Sequence, residues 1–290
     1  MKSSILSALV VGLLATLTTS APIIKRTVAK YNDYSCRSAA HPNPVVLLHG
    51  LGATYYEDIN LLELYLQQQG FCTFSTTYGE YNSPIPFPFV GGLKPIATSS
   101  NEIASFIKTV KTKTGAAKID LVGHSEGAFQ VLYVTKFGDG IKEIVQRVFA
   151  IAPPTHGTTF LSLYNVTDFS PALTRPLVDQ ILKTVGCAAC ADLLPQGDAV
   201  KRLNDGRPIA QEGISYTILT STNDQLVVPT ETSFVREDGV RNLYVQDFCP
   251  LDPVGHIGEA YDPNVMELVR NALRDDLAGP EVCSVGFPGK

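Results

Sequence analysis

The chain has 290 residues, 44% hydrophobic and 18% charged, which is enough apolar matter for a substantial core and too much for a disordered polymer. Its net charge is −5, and the 23 Lys and Arg form no block or stripe, which argues against binding along a nucleic-acid backbone. The 23 Gly and 19 Pro follow no fixed period, so collagen-like and repeat architectures are excluded.

Residues 1–21 read as a secretory signal peptide. Lys2 precedes an apolar run from Ile5 to Leu17, and Thr18-Thr19-Ser20-Ala21 supplies small residues before a cut. The run is short for a bilayer, and no longer one follows. Lys25-Arg26 is a dibasic pair suited to a processing protease, which would extend a pro-piece to about residue 26. Residues 27–290 are expected to form one domain, secreted, monomeric and without a transmembrane segment. An oxidising compartment makes sense of six cysteines as three bridges. Spacing does not single out one connectivity, and chain order suggests Cys36–Cys72, Cys187–Cys190 and Cys249–Cys283. A zinc site would want a second ligand pair beside Cys187 and Cys190, and none is present. Asn165-Val166-Thr167 is a glycosylation sequon.

Further along, strands and helices alternate. Pro44 to Leu48 is a continuous apolar run that reads as a strand buried on both faces. A helix is expected over Tyr55–Gln69, then a strand over Cys72–Tyr78 and a Pro-rich loop over Ser83–Pro88. Ile96–Lys113 is amphipathic and stops at Gly115. The strand Lys118–Val122 leads through Gly123-His124-Ser125-Glu126-Gly127 into a helix over Ala128–Phe137. Strands over Arg147–Ala152, Ile214–Leu219 and Val240–Val245 and a helix over Asn264–Leu277 complete the pattern. This alternation predicts an α/β fold, a mainly parallel sheet with helices on both faces. Residues 155–208 break the rhythm and read as a lid-like insertion carrying a helix near Pro176–Val185.

Gly123-His-Ser-Glu-Gly127 is Gly-x-Ser-x-Gly between a strand and a helix, the context in which a tight turn exposes a nucleophilic serine. A serine hydroxyl needs a base, and the base a carboxylate. In folds of this type the partners follow in the order Ser, acid, His. His256, past a strand and before the last helix, fits the base, whereas His156 leaves no room for a later acid and reads as a loop residue. Asp224, directly after the Ile214–Leu219 strand, fits the acid, with Asp252 as its rival and a plain turn residue as the bland alternative. The oxyanion would be held by the main-chain N–H of Glu126 and of Leu51, in the loop after the first strand. Asp247 and Asp252 alone are weak grounds for calcium, and no cofactor or metal is expected.

Together, His49-Gly50-Leu51-Gly52, the serine pentapeptide, Ala152-Pro153-Pro154-Thr155-His156-Gly157-Thr158 and Gly255-His256-Ile257-Gly258 resemble the class 2 secreted microbial lipases of the α/β-hydrolase fold, over roughly residues 42–277. The resemblance implies a Ser125, Asp224, His256 triad, an oxyanion hole at Leu51 and Glu126, hydrolysis of fatty-acid esters including acylglycerols, and no cofactor. Glu126 departs from the Gln or Met commoner there and adds a charged group type near the site. Apolar residues outside the sheet, among them Phe160, Leu161, Phe169, Leu177, Leu193 and Leu194, with Phe87 and Phe89, could line an acyl groove or form a lid. A short-chain carboxylesterase or cutinase-like polyester hydrolase would use the same groups, and a non-enzymatic relative would use the fold alone.

Overall fold

A computed structural model describes residues 30–81, 90–159, 186–276 and 278–285. Six strands, β1 (Val45–Leu48), β2 (Thr73–Ser75), β3 (Ile119–His124), β4 (Val145–Ile151), β5 (Ser215–Thr220) and β6 (Val240–Tyr244), form one sheet in the order β2-β1-β3-β4-β5-β6. Every neighbouring pair is parallel. The helices are α1 (Tyr55–Asp58), α2 (Asn60–Gln68), α3 (Ile96–Thr114), α4 (Glu126–Phe137), α5 (Ala188–Asp192), α6 (Asp198–Leu203) and α7 (Pro263–Leu273).

Alternation along the strands sorts the core into two layers. Val46, Leu48, Phe74 and Leu121 pack toward α3, α4, α5 and α6. Their chain neighbours Val45, Leu47 and Val122 pack toward α2 and α7 on the other face. Both faces are covered, which is why these strands read as unbroken apolar runs. From Glu126 to Thr135 every residue of α4 is buried. The chain passes outward from β1 through α2 to β2, then returns through α3 to β3 on the other side of β1. Strand order therefore reverses between β1 and β3, whose carboxyl ends flank a crevice of the kind where open α/β sheets hold ligands.

The expected helix over 55–69 is two helices, interrupted at Ile59, where φ is −112° and ψ is 4°. Its apolar spacing carried no sign of this break, which turns the Asp58 side chain back to the Gly50 N–H. Helix α4 begins at Glu126, two residues before the sequence suggested, with Ser125 as its N-cap. Helix α7 starts at Pro263, after the Asp262 side chain accepts from the Asn264 and Val265 N–H groups. It ends before Asp275, whose φ of 57° is left-handed. In the 155–208 segment, α5 and α6 place Leu193, Val200 and Leu203 in the α3–α4 core, so Leu193 supports the fold rather than an acyl groove.

Three disulfides are present, Cys36–Cys72, Cys187–Cys190 and Cys249–Cys283. The first ties residues 30–36 beside β2, where the Asn32 amide accepts from the Ser75 N–H at 2.9 Å and donates to the Ser75 carbonyl at 2.9 Å. Tyr31 donates to that same carbonyl at 2.7 Å. The signal-peptide reading, Lys25-Arg26, the Pro-rich loop over 83–88, the Asn165 sequon and the helix near 176–185 lie outside the described residues, as do Phe87, Phe89, Phe160, Leu161, Phe169 and Leu177. Among the described residues, no helix is long and apolar enough to cross a membrane.

Candidate active site

The turn from β3 into α4 leaves no room for side chains on its flanks. A Cβ on Gly123 would lie 2.2 Å from the Gly127 carbonyl oxygen, and one on Gly127 would lie 2.3 Å from the Leu48 carbonyl oxygen. Between them Ser125 takes φ 55° and ψ −119°, a conformation that non-glycine residues adopt only under local constraint. Its N–H is held by the Ile151 carbonyl at 2.8 Å. The result is a hydroxyl at the N-terminus of a buried helix, at the carboxyl end of a central strand.

His256 and Asp224 meet that hydroxyl. His256 Nε2 lies 2.8 Å from Ser125 Oγ, and Nδ1 lies 2.8 Å from Asp224 Oδ2. The other carboxylate oxygen of Asp224 accepts from the Leu226 and Val227 N–H groups at 2.8 and 2.9 Å. With Asp224 accepting at Oδ2, His256 carries its proton on Nδ1 and presents Nε2 as an acceptor to serine. Asp224 is 4% exposed and His256 2% exposed, so water does not compete for these bonds.

Asp252 sits differently. Its oxygens accept from the Val254 N–H at 3.0 Å and the Asn264 amide at 2.6 Å, bracing the loop before His256 against α7. Asp247 accepts from the Tyr244 N–H at 2.8 Å. Among the described residues, no group of three or more His, Cys, Asp or Glu is arranged to hold a metal ion. The ring of His156 is engaged with the Phe234 carbonyl at 3.0 Å.

On the other side of Ser125 stands the loop after β1. A Cβ on Gly50 would lie 3.1 Å from the serine Cβ, so Gly50 allows the loop to close on it. The Gly50 N–H donates to Asp58 at 2.6 Å, and the Gly52 N–H donates to the Gly91 carbonyl at 3.1 Å. His49 stacks on Tyr78 at 4.4 Å and receives the Tyr78 N–H at Nε2 at 3.3 Å. It donates from Nδ1 to the Gly50 carbonyl, the tautomer of a neutral ring, and burial holds its pKa below the ordinary value. Between these anchors the Leu51 N–H, like that of Glu126, meets no acceptor among the described residues.

The Glu126 side chain points away from solvent. It is fully buried, with Oε2 lacking a partner among the described residues, and burial raises its pKa well above the ordinary carboxylate range. Burial thus favours the protonated, neutral form of this carboxyl over the charged one. Two residues that sequence reasoning passed over lie directly behind the serine. His124 joins Asp58 at 2.9 Å through Nδ1 and the His256 carbonyl at 2.9 Å through Nε2. The only signal for either was the adjacency of a histidine to the serine, because Asp58 was hidden within an apparent helix.

A profile of the class 2 lipase family matches residues 42–257. The chain belongs to the class 2 lipase family. The chain resembles lipase B of Aspergillus fumigatus at 18% identity and a TM-score of 0.62, over 83% of this chain and 54% of that one. It resembles the propeptide form of Bacillus licheniformis lipase BlEst2 at 14% identity and a TM-score of 0.58, over 86% of this chain and 54% of that one. It also resembles a Rhodococcus 2-hydroxy-6-oxo-6-phenylhexa-2,4-dienoate hydrolase at 16% identity and a TM-score of 0.51, over 81% of this chain and 92% of that one. These likenesses identify the α/β-hydrolase fold. The chain spans about half the length of the Aspergillus lipase.

Proposed function

We propose that this class 2 lipase is a secreted serine hydrolase that cleaves carboxylic esters of fatty acids, with triacylglycerol as its substrate class. The observation that carries the reading is the hydrogen-bonded line Asp224–His256–Ser125, with 2.8 Å at each junction. Ser125 Oγ attacks the ester carbonyl while His256 Nε2 takes its proton, and Asp224 holds the resulting imidazolium. The Leu51 and Glu126 N–H groups, with α4 behind the latter, stabilise the oxyanion. His256 returns the proton to the departing alcohol, leaving an acyl group on Ser125. Water then attacks this acyl-enzyme with the same histidine as base, releasing the fatty acid. Secretion is supported by the three disulfides and the basic-apolar-small order of residues 1–21.

Two open concavities lie elsewhere, lined by Lys118, Lys142 and Arg207 or by Asp120 and Arg147, toward the amino ends of the strands. We assign the chemistry to the Ser125 crevice, because among the described residues it alone joins a nucleophile, a base and candidate oxyanion donors. The test is hydrolysis of p-nitrophenyl esters with acyl chains of two to sixteen carbons and of emulsified triacylglycerol, wild type beside Ser125→Ala. Activity rising toward long chains, with clearing of the emulsion, and falling by about 10³-fold or more in the variant is expected. A short-chain optimum without clearing would replace lipase by esterase. Full activity in Ser125→Ala would overturn the mechanism.

A further inference from the structure

The Asp58–His124 pair is buried, polar and without a part in the proton transfers just described. His124 is 2% exposed and Asp58 7% exposed. Both ring nitrogens of His124 face acceptors, Nδ1 the Asp58 carboxylate and Nε2 the His256 carbonyl. A neutral imidazole has one N–H and can satisfy only one of them. The arrangement therefore calls for an imidazolium, held against the anionic Asp58. Burial alone would lower the His124 pKa, but the Asp58 charge and hydrogen bond outweigh it, and the pKa lies above the ordinary histidine value. Burial likewise pushes Asp58 up, and the His124 charge and hydrogen bonds bring it below the ordinary carboxylate range.

The two ends of the pair reach opposite sides of Ser125. Asp58 Oδ2 fixes the Gly50 N–H at 2.6 Å, directly before Leu51, while His124 Nε2 fixes the main chain of His256 itself. Resting on the hydrolase reading above, we propose that Asp58 and His124 form a charged clamp that positions the His256 base and the Leu51 loop about Ser125. Both are positioning residues, since neither touches the reacting atoms. Residues 50, 58, 124 and 256 come from four separate segments, so a single ion pair sets the spacing between the two halves of the site. The groups around it are His49, Tyr78, Tyr261 and Glu57 near Asp58, and Asp224 and the His256 ring near His124.

Asp58→Ala and His124→Gln each break the clamp. Asp58→Asn conserves it in neutral form, because the amide oxygen can accept from Gly50 and the amide nitrogen can donate to Nδ1 of a neutral His124 that still donates from Nε2. For the full chain, kcat on a soluble ester is expected to fall about tenfold or more in the first two variants, with KM little changed, and to recover in Asp58→Asn. Nitrogen NMR of wild type is expected to find His124 protonated at both ring nitrogens at pH 7, and at one only in Asp58→Asn. Two results would each overturn the clamp: kcat per folded molecule unchanged in both breaking variants, or a singly protonated His124 in wild type. Wild type inert toward every ester would sink the hydrolase reading instead, and the ring-nitrogen signals would still decide the clamp.

Discussion

Glu126 carries two properties in one residue. Its N–H stands beside Ser125, while its carboxyl is sealed in the core next to Gly92, where a Cβ would lie 2.4 Å from Oε2. In the unfolded chain this carboxyl ionises near its ordinary value of 4.5, whereas in the folded protein burial keeps the proton on well above that. The folded state thus binds the proton more tightly. Stability from this group is fully present below about pH 4.5 and declines as pH rises toward the folded value. Glu126→Gln removes that decline. Melting temperatures of variant and wild type, compared from about pH 4 to pH 8, should separate progressively in favour of the variant as pH rises. A difference that stays constant across this range would mean that the carboxyl is not held neutral.

The strand-turn-helix element β3–α4 depends on a close approach that a residue list does not convey. Helix α4 crosses the end of β1 so tightly that Gly127 rests on the Leu48 carbonyl. Gly127→Ala should destabilise the fold by about 3 kcal/mol or more, with a lower urea midpoint, because main chain and not a flexible side chain must move. An unchanged midpoint would show that the helix can slide. This element was legible because Gly-x-Ser-x-Gly has a local steric cause. The strand end before Asp224 and the placement of His256 ahead of the last helix were legible too, since unbroken apolar runs mark doubly covered strands and chain order limits the partners. The break at Ile59 was not, because Leu61, Leu62, Leu64 and Leu66 maintain helical spacing right up to it. What sets Asp58 off α2 is its pairing with His124, far along the chain and outside any window of local sequence, together with its contact to the Gly50 N–H.

For the whole molecule, the long-span bridges matter most. Cys36–Cys72 closes a loop with a sequence separation of 36 residues. Loop-closure entropy for a span of this size stabilises the folded state by about 4 kcal/mol. The double variant Cys36→Ser/Cys72→Ser should accordingly unfold at markedly lower denaturant, and a shift of a few tenths of a kcal/mol or less would show that residues 30–36 hold their place unaided. This staple does more than restrict the unfolded chain. It keeps Asn32 and Tyr31 over the main-chain groups of Ser75 on β2, the outermost strand of the sheet. Without that cover, an open row of donors and acceptors would face solvent, ready to pair with the same strand of another molecule. Reduction would then threaten the protein first through self-association into extended aggregates, and only afterwards through loss of its chemistry.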